Sequence, residues 1–445
     1  MLRFIKTRTS VRLMGILFCL IGLMASGMEL RAQWVRVYGF SSGRFYPNVF
    51  IKAPDGGYIM AGDYYSRFAS GWLWKLSDSC ELEWTQTIAS TEDVAVASEG
   101  GYITAGYGGL TKLDENGEWE WNLRFDGEFT SVKQTAELGY IAVGRIFKQY
   151  NRRYKTFLLM LTASRETVWT KRINDDECVI SKLLLTEDGG FLALANIGED
   201  EPGQQDACLL KLSTEGAIQW QNIYGGTDED ELVHFSLTSD GSFVATGRTR
   251  SFGQGGDDIW VMKILPDGEI EWQKTFGEVS DEYGSFVQQT GDGGYLVCGT
   301  AELPGNSTML ILKLSGDGTI EWRKAFSDGE GRTYSGEMGH MFLEEDDGSI
   351  LAAGGTDSMG GDSTGYYPPY RILILRLTAS GELPGCRYIS VPQLATSDST
   401  ALPRPAYYSM KNFTITFRSY QGSDYLAPPE ISEICPQGKG SKLRR

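Results

Sequence analysis

The chain has 445 residues, 41% of them hydrophobic and 22% charged, and 58 Asp and Glu against 41 Lys and Arg give a formal net charge of −17. That composition excludes a disordered acidic chain, which buries too little apolar surface to fold. The sign of the charge disfavours nucleic acid and anionic lipid as partners. Gly is abundant at 55 while Pro is only 14, a balance that suits many tight turns rather than low-complexity sequence.

In chain order, Arg3, Lys6, Arg8 and Arg12 precede an apolar run from Leu13 to Met28, and Leu30-Arg31-Ala32 offers a cleavage point before Gln33. A spanning helix needs about 20 apolar residues, so residues 1–32 are predicted to be a secretory signal peptide, with an uncleaved anchor as the alternative. Cys19 follows Phe18, where a lipoprotein signal wants a small residue, which argues against lipidation. Removing the signal leaves 36 basic and 57 acidic residues, a formal charge of −21. No later segment is long and apolar enough to span a bilayer.

From residue 34 onward the chain repeats. A Trp recurs at Trp34, Trp84, Trp121, Trp169, Trp220, Trp272 and Trp322, at intervals of 50, 37, 48, 51, 52 and 50 residues. Between successive Trp lies a turn such as Asp55-Gly56-Gly57, Asp188-Gly189-Gly190 or Asp292-Gly293-Gly294, decayed to Glu137-Leu138-Gly139 in the third copy. A Lys-Leu pair closes an apolar strand at Lys75-Leu76, Lys112-Leu113, Lys211-Leu212 and Lys313-Leu314, and varies to Met160-Leu161, Lys263-Ile264 and Arg376-Leu377. Each unit reads as four strands joined by Asp/Gly/Ser hairpin turns, where Gly takes φ > 0 without steric cost. The third strand is continuously apolar, as in a sheet covered on both faces, and the Trp strand alternates like a half-exposed outer strand.

Such sheets bury their faces against their own copies, and radial closure does so with few exposed edges. The expected fold is therefore all-β: a seven-bladed β-propeller over residues 33–385, one four-stranded blade per repeat. A linear solenoid would need polar capping repeats, which neither end supplies. Trp34-Val35-Arg36-Val37-Tyr38-Gly39 is an outer strand with no third strand before it, and residues 371–377 are a third strand with no Trp strand after them. The Trp34 strand is predicted to complete the last blade and close the ring.

The order Asp-Gly-Gly-Tyr, Trp-Leu-x-Lys-Leu and Gly-x-Ile-x-Trp resembles secreted bacterial propeller-repeat proteins and the blades of quinoprotein dehydrogenases. The resemblance covers residues 34–385 and implies the fold; nothing in it matches a quinone site. Fold does not fix chemistry.

Loops from strand four to strand one and from strand two to strand three emerge on one face of a propeller, and the long, variable segments fall there. Their aromatic and Arg content suits recognition of a glycan or a protein. The candidate binding residues are Tyr64, Tyr65, Arg67, Tyr150, Arg152, Arg153, Arg250, Phe252, Tyr366 and Tyr367; rim residues without a ligand are the plainer reading. Only His234 and His340 are present, both on innermost strands, where a structural role is expected. No zinc, serine-hydrolase or phosphate-loop motif occurs. The acidic runs Asp228-Glu229-Asp230-Glu231 and Asp281-Glu282 have oxygen donors suited to Ca²⁺, but a cap at the start of a strand is the expected role, so no cofactor is assigned. Many acids surround the axis, and a glycosidase pair can be neither selected nor excluded.

Residues 386–445 break the period. Lys411 to Arg418 is the tail's one strand candidate, and Cys386 and Cys435 bracket it as candidates for a disulfide that ties it down. Cys208 and Cys298 fall in apolar strands as small buried hydrophobes. The leading expectation is an exported, monomeric, non-catalytic recognition or scaffold module in the periplasm, at the outer surface or outside the cell. A carbohydrate-active or quinoprotein-like enzyme with its site at the top of the central channel is the alternative.

Overall fold

The computed structural model describes residues 34–383 apart from 40–43, 66–68, 138, 149–152, 174–177, 199–204, 279, 304–305, 327–337 and 357–370. Beyond 383 it describes only residues 389–390, 395–398, 404–405, 410–412 and 430–433. The chain is an all-β propeller of antiparallel blades, and the described strands form six hydrogen-bonded sheets. Blade I holds Arg44–Lys52, Tyr58–Tyr65, Ala69–Leu76 and Leu82–Ile88. Blades III, IV and V repeat that pattern from Cys178–Leu185, Asp230–Leu237 and Glu282–Gln289 as innermost strands. Blade VI runs from Met338–Glu344 through Ile350–Thr356 and Arg371–Leu377 to Trp34–Gly39. Trp34 lies opposite Arg376 and Tyr38 opposite Ile372, so the two ends of the repeat region close the ring.

Seven repeats therefore make six blades, and the expectation of seven blades is corrected. The failure falls at the 37-residue interval. Tyr102–Leu113 and Trp119–Gln134 are uninterrupted extended segments, where other repeats leave the sheet between strands two and three and between strand four and the next strand one. Tyr107 pairs with Glu128, and Glu128 with Arg145. Hydrogen bonding thus runs on from Asp93 to Ile173, and the second and third repeats share one sheet, blade II. A cluster of Ile103, Leu110, Phe129, Tyr140 and Phe157 packs within it.

The three sequence markers each make a contact within or between blades. Lys313 is buried, and its Nζ donates to Asp292 Oδ1 at 2.8 Å, Thr290 Oγ1 at 3.0 Å and the Leu314 carbonyl at 3.4 Å. Lys75, Lys211 and Lys263 reach Asp55, Asp188 and Asp240 in the same way, and Arg376 reaches Asp347. The Lys-Leu marker and the Asp-Gly turn are two halves of one clamp across neighbouring strands. Each outer-strand Trp lies against a turn of the following repeat. Trp272 Nε1 donates to the Gly316 carbonyl at 3.1 Å, and a Cβ on Gly318 (φ +80°) would lie 2.9 Å from the indole ring. The core sits between blades; Leu296, Ile311 and Phe326 of blade V, for example, pack on Val35, Leu373 and Leu375 of blade VI.

The tail adds outer strands. Ile389–Ser390 pairs with the outer strand of blade V, Ala395–Asp398 with blade IV, Arg404–Pro405 with blade III, Met410–Asn412 with blade II and Glu430–Glu433 with blade VI. It therefore runs round the circumference against the order of the blades, covering edges that otherwise present unpaired backbone groups. Among the described residues, no helix is long and apolar enough to cross a membrane.

Candidate functional site in the central channel

The innermost strands share one irregularity. A bulge falls between Pro47 and Val49, Phe129 and Ser131, Ile180 and Lys182, Leu232 and His234, Gly284 and Phe286, and Gly339 and Met341. An extra residue at a bulge re-aims the side chains that follow it. Val49, Ser131, Lys182, His234, Phe286 and Met341 thus occupy equivalent positions and line a cavity of about 780 Å³ on the propeller axis. Two residues further on, Ile51, Lys133, Leu184, Ser236, Gln288 and Leu343 form a second layer of the same wall, while Phe50, Leu183 and Phe235 between the layers border the cavity but are almost wholly buried. The strand period of two thus yields stacked rings around the channel.

The wall is apolar over most of its circumference and charged on one side. Asp93 Oδ2 accepts from Lys133 Nζ at 2.6 Å, Ser131 Oγ at 2.7 Å and the Val132 amide at 3.0 Å. Lys182 lies beside this group and makes no hydrogen bond or ion pair among the described residues. Desolvation holds its ammonium below the usual lysine range, Asp93 and Glu92 pull it up, and Lys133 pushes it further down. His234 is stacked on Phe286 with ring centroids 3.9 Å apart, and its Nδ1 accepts from the Val287 amide at 3.3 Å. Burial and the two lysines keep the imidazole well below its ordinary value.

Nearer the end where the long loops emerge, Glu92 is in hydrogen-bond contact with Glu128, whose Oε2 accepts from Arg145 Nε at 2.5 Å. Burial first, then the neighbouring Glu128, raises Glu92 to about 7. The like charge of Glu128 so close disfavours the ionised form of Glu92, which is partly protonated near neutral pH.

Of the loop residues predicted from sequence, Tyr64 packs at a tilt against Phe45, centroids 4.6 Å apart, at the edge of the blade I core. Phe252 lies against Trp260. The Arg250 guanidinium is held between Glu229 at 2.9 Å and Asp257 at 3.0 Å, so it anchors one loop to its neighbours. Tyr65 and Arg153 are described only as strand backbone; Arg67, Tyr150, Arg152, Tyr366, Tyr367, Cys386 and Cys435 lie outside the described residues. The structure brings none of the described loop candidates into the channel cavity.

The acidic runs act as caps. Asp230 is buried and accepts from the Gly226 amide, Ser251 Oγ and Thr249 Oγ1. Glu282 accepts from the Glu278 amide and Ser280 Oγ. Among the described residues no three His, Cys, Asp or Glu side chains converge as a metal site. Cys80, Cys208 and Cys298 are free and buried, and Cys178 is buried. Of the two histidines, His234 faces the channel, and His340 is the bulged residue of its strand.

The fold and this axial cavity define a β-propeller with a lined central channel. No protein-family model matches the chain, and no curated protein matches it. Among solved structures, it is similar to BamB from Moraxella catarrhalis (12% identity, 74% of this chain and 96% of that one, TM-score 0.36). It is also similar to a protein of unknown function from Dyadobacter fermentans (12%, 77% and 97%, TM-score 0.42) and to the polysaccharide lyase Uly1 (8%, 77% and 98%, TM-score 0.42).

Proposed function

We propose that this protein is an exported, non-catalytic recognition propeller whose ligand seat is the loop-side half of the central channel. The observation that carries this reading is the cavity of about 780 Å³, walled by six non-identical side chains at one repeated position. Its volume is that of a small-molecule pocket, and its wall joins apolar surface to a few convergent polar groups. A propeller built from one motif has no packing need for Val, Ser, Lys, His, Phe and Met at the same place. Binding is favoured over chemistry by the arrangement of the polar groups. His234 is stacked and its Nδ1 is engaged, and Glu92 and Glu128 touch each other rather than flanking a gap of roughly 5–9.5 Å as glycosidase carboxyls do.

The test is a glycan and peptide array read with wild type and with Val233→Trp, which fills the channel from the wall of blade IV. Binding that survives in Val233→Trp, or that is lost in the loop variant Tyr366→Ala/Tyr367→Ala, would move the seat out of the channel.

One observation favours a second reading. A carboxyl raised to about 7 is poised as a general acid, so a carbohydrate-active enzyme using Glu92 remains the alternative. Turnover on a polysaccharide panel that vanishes in Glu92→Gln would promote it.

A further inference from the structure

We propose that the channel takes a monovalent organic carboxylate with an apolar body, its anionic end paired with Lys182. This rests on the channel being the ligand seat and goes further by naming the chemistry of what fits. The argument starts from charge balance. Lys182 stands in a ring whose other members are Val49, Ser131, His234, Phe286 and Met341, none of them an acid. Of the acids facing it from neighbouring strands, Asp93 already accepts from Lys133, Ser131 and the Val132 amide, and Glu92, in contact with Glu128, is raised by burial to about 7. Lys133 and His234 are the other titratable groups near it; the first is paired with Asp93 and the second is held neutral. Among the described residues, one amine is left without a counter-ion in a cavity large enough for a ligand.

A desolvated ammonium without a partner is costly, and an incoming anion removes that cost. The count of one open cation matches a single negative charge; a dianion would also meet Asp93. The body that follows the carboxylate meets Phe286, Met341, Val49, Ile51, Leu184 and Leu343, a largely apolar wall. Phe286, stacked on His234 and edge-on to Phe342, gives that wall an aromatic edge.

The experiment compares benzoate with its neutral isostere benzamide, and both with inorganic phosphate, by ligand-observed NMR on the full chain. Benzoate should bind at least 10-fold more tightly than benzamide. Lys182→Met should lose that preference, and Lys182→Arg should keep it within about 3-fold. Because removing an unpaired buried amine is not expected to unfold the ring, the Met variant should melt no lower than wild type. A second measurement needs no variant: acetylation of Lys182 by acetic anhydride, followed by peptide mass spectrometry, should slow in the presence of benzoate and not of benzamide. Equal binding of benzoate and benzamide overturns the charge pairing while leaving the channel reading, which the Val233→Trp array tests by itself. Preference for phosphate overturns the monoanion. Failure of benzoate to bind or to protect Lys182 overturns the proposal outright.

Discussion

Replacing Glu92 by Gln should stabilise the protein at alkaline pH and leave it unchanged in mild acid. Burial and the contact with Glu128 raise the Glu92 carboxyl from 4.5 to about 7 in the folded chain. An acid whose folded pKa lies above its unfolded one favours folding only while both states are protonated. That favourable balance is complete below about pH 4.5 and is lost progressively as pH rises to about 7. At about 1.4 kcal/mol per unit, a shift of this size sets a ceiling of roughly 3 kcal/mol above pH 8. Gln keeps the shape and one hydrogen bond to Glu128 but has no proton to lose. The difference in unfolding free energy between Glu92→Gln and wild type, from urea titrations at pH 5 and pH 8.5, should therefore grow by about 2–3 kcal/mol in favour of the variant. Glu128→Gln should remove part of the same penalty, because it deletes the neighbouring charge and leaves the burial. A difference that stays flat between the two pH values would falsify the raised Glu92 carboxyl, and with it the case for Glu92 as a poised acid.

Other consequences follow from the blade contacts. Gly318→Ala places a Cβ 2.9 Å from Trp272 at φ +80°, whereas Gly293→Ala at φ +85° meets nothing within 4 Å. Both pay about 1 kcal/mol for the left-handed backbone, so the excess of Gly318→Ala, about 1–2 kcal/mol by chemical denaturation, measures the Trp contact; equal costs would deny it. Lys313→Met removes the clamp on Asp292, whose carboxylate the Lys313 hydrogen bond holds at about 2. Asp292 is largely exposed, which screens the pair to about 1 kcal/mol, and a double-mutant cycle with Asp292→Asn should return that coupling. The pair's contribution is present above about pH 4 and fades as pH falls through 2, so wild type and Lys313→Met should converge in acid. Deleting residues 386–445 should leave the blades folded, because the core lies between them, but uncover the outer edges of blades II to VI apart from any other cover. Light scattering should then show concentration-dependent association, and a monodisperse truncated protein would argue that those edges need no tail.

The parts of this molecule that repeat were legible in its sequence. Trp272, Lys313 and Asp292 recur because each blade needs the same contacts to its neighbour, and period alone exposes such positions. The count of blades was less legible, because it depends on whether a chain segment leaves the sheet. Tyr107-Gly108-Gly109 and Phe125-Asp126-Gly127 lie within extended segments that carry the hydrogen bonding on from the second repeat into the third. The loops drew attention through composition, but Arg250 and Phe252 spend their side chains on Asp257, Glu229 and Trp260. Lys182 and Glu92 gave no signal because each occurs once. The signal that could have found them is subtractive: align the repeats and read the innermost strand for the position that fails to repeat.

That rule has a physical basis that reaches beyond this chain. In a closed ring, every residue that faces a neighbouring blade is constrained by the same geometry at each step, so packing drives those positions toward one solution. Residues facing the axis are constrained on one side only, as where His234 stacks on Phe286 of the next blade, and border the channel on the other. Their identities are therefore free to answer to something other than packing. Here the answer places an amine without a counter-ion among apolar walls, inside a chain whose acids outnumber its bases by 17. The surrounding excess of negative charge repels anions at long range, and salt screens it over about 10 Å. The ring of Val49, Ser131, Met341, Phe286 and His234 adds no acid beside Lys182, and the neighbouring Asp93 is already paired with Lys133, so a bound carboxylate pairs with Lys182. Selectivity would then rise with ionic strength, since the screened repulsion weakens faster than the buried pair.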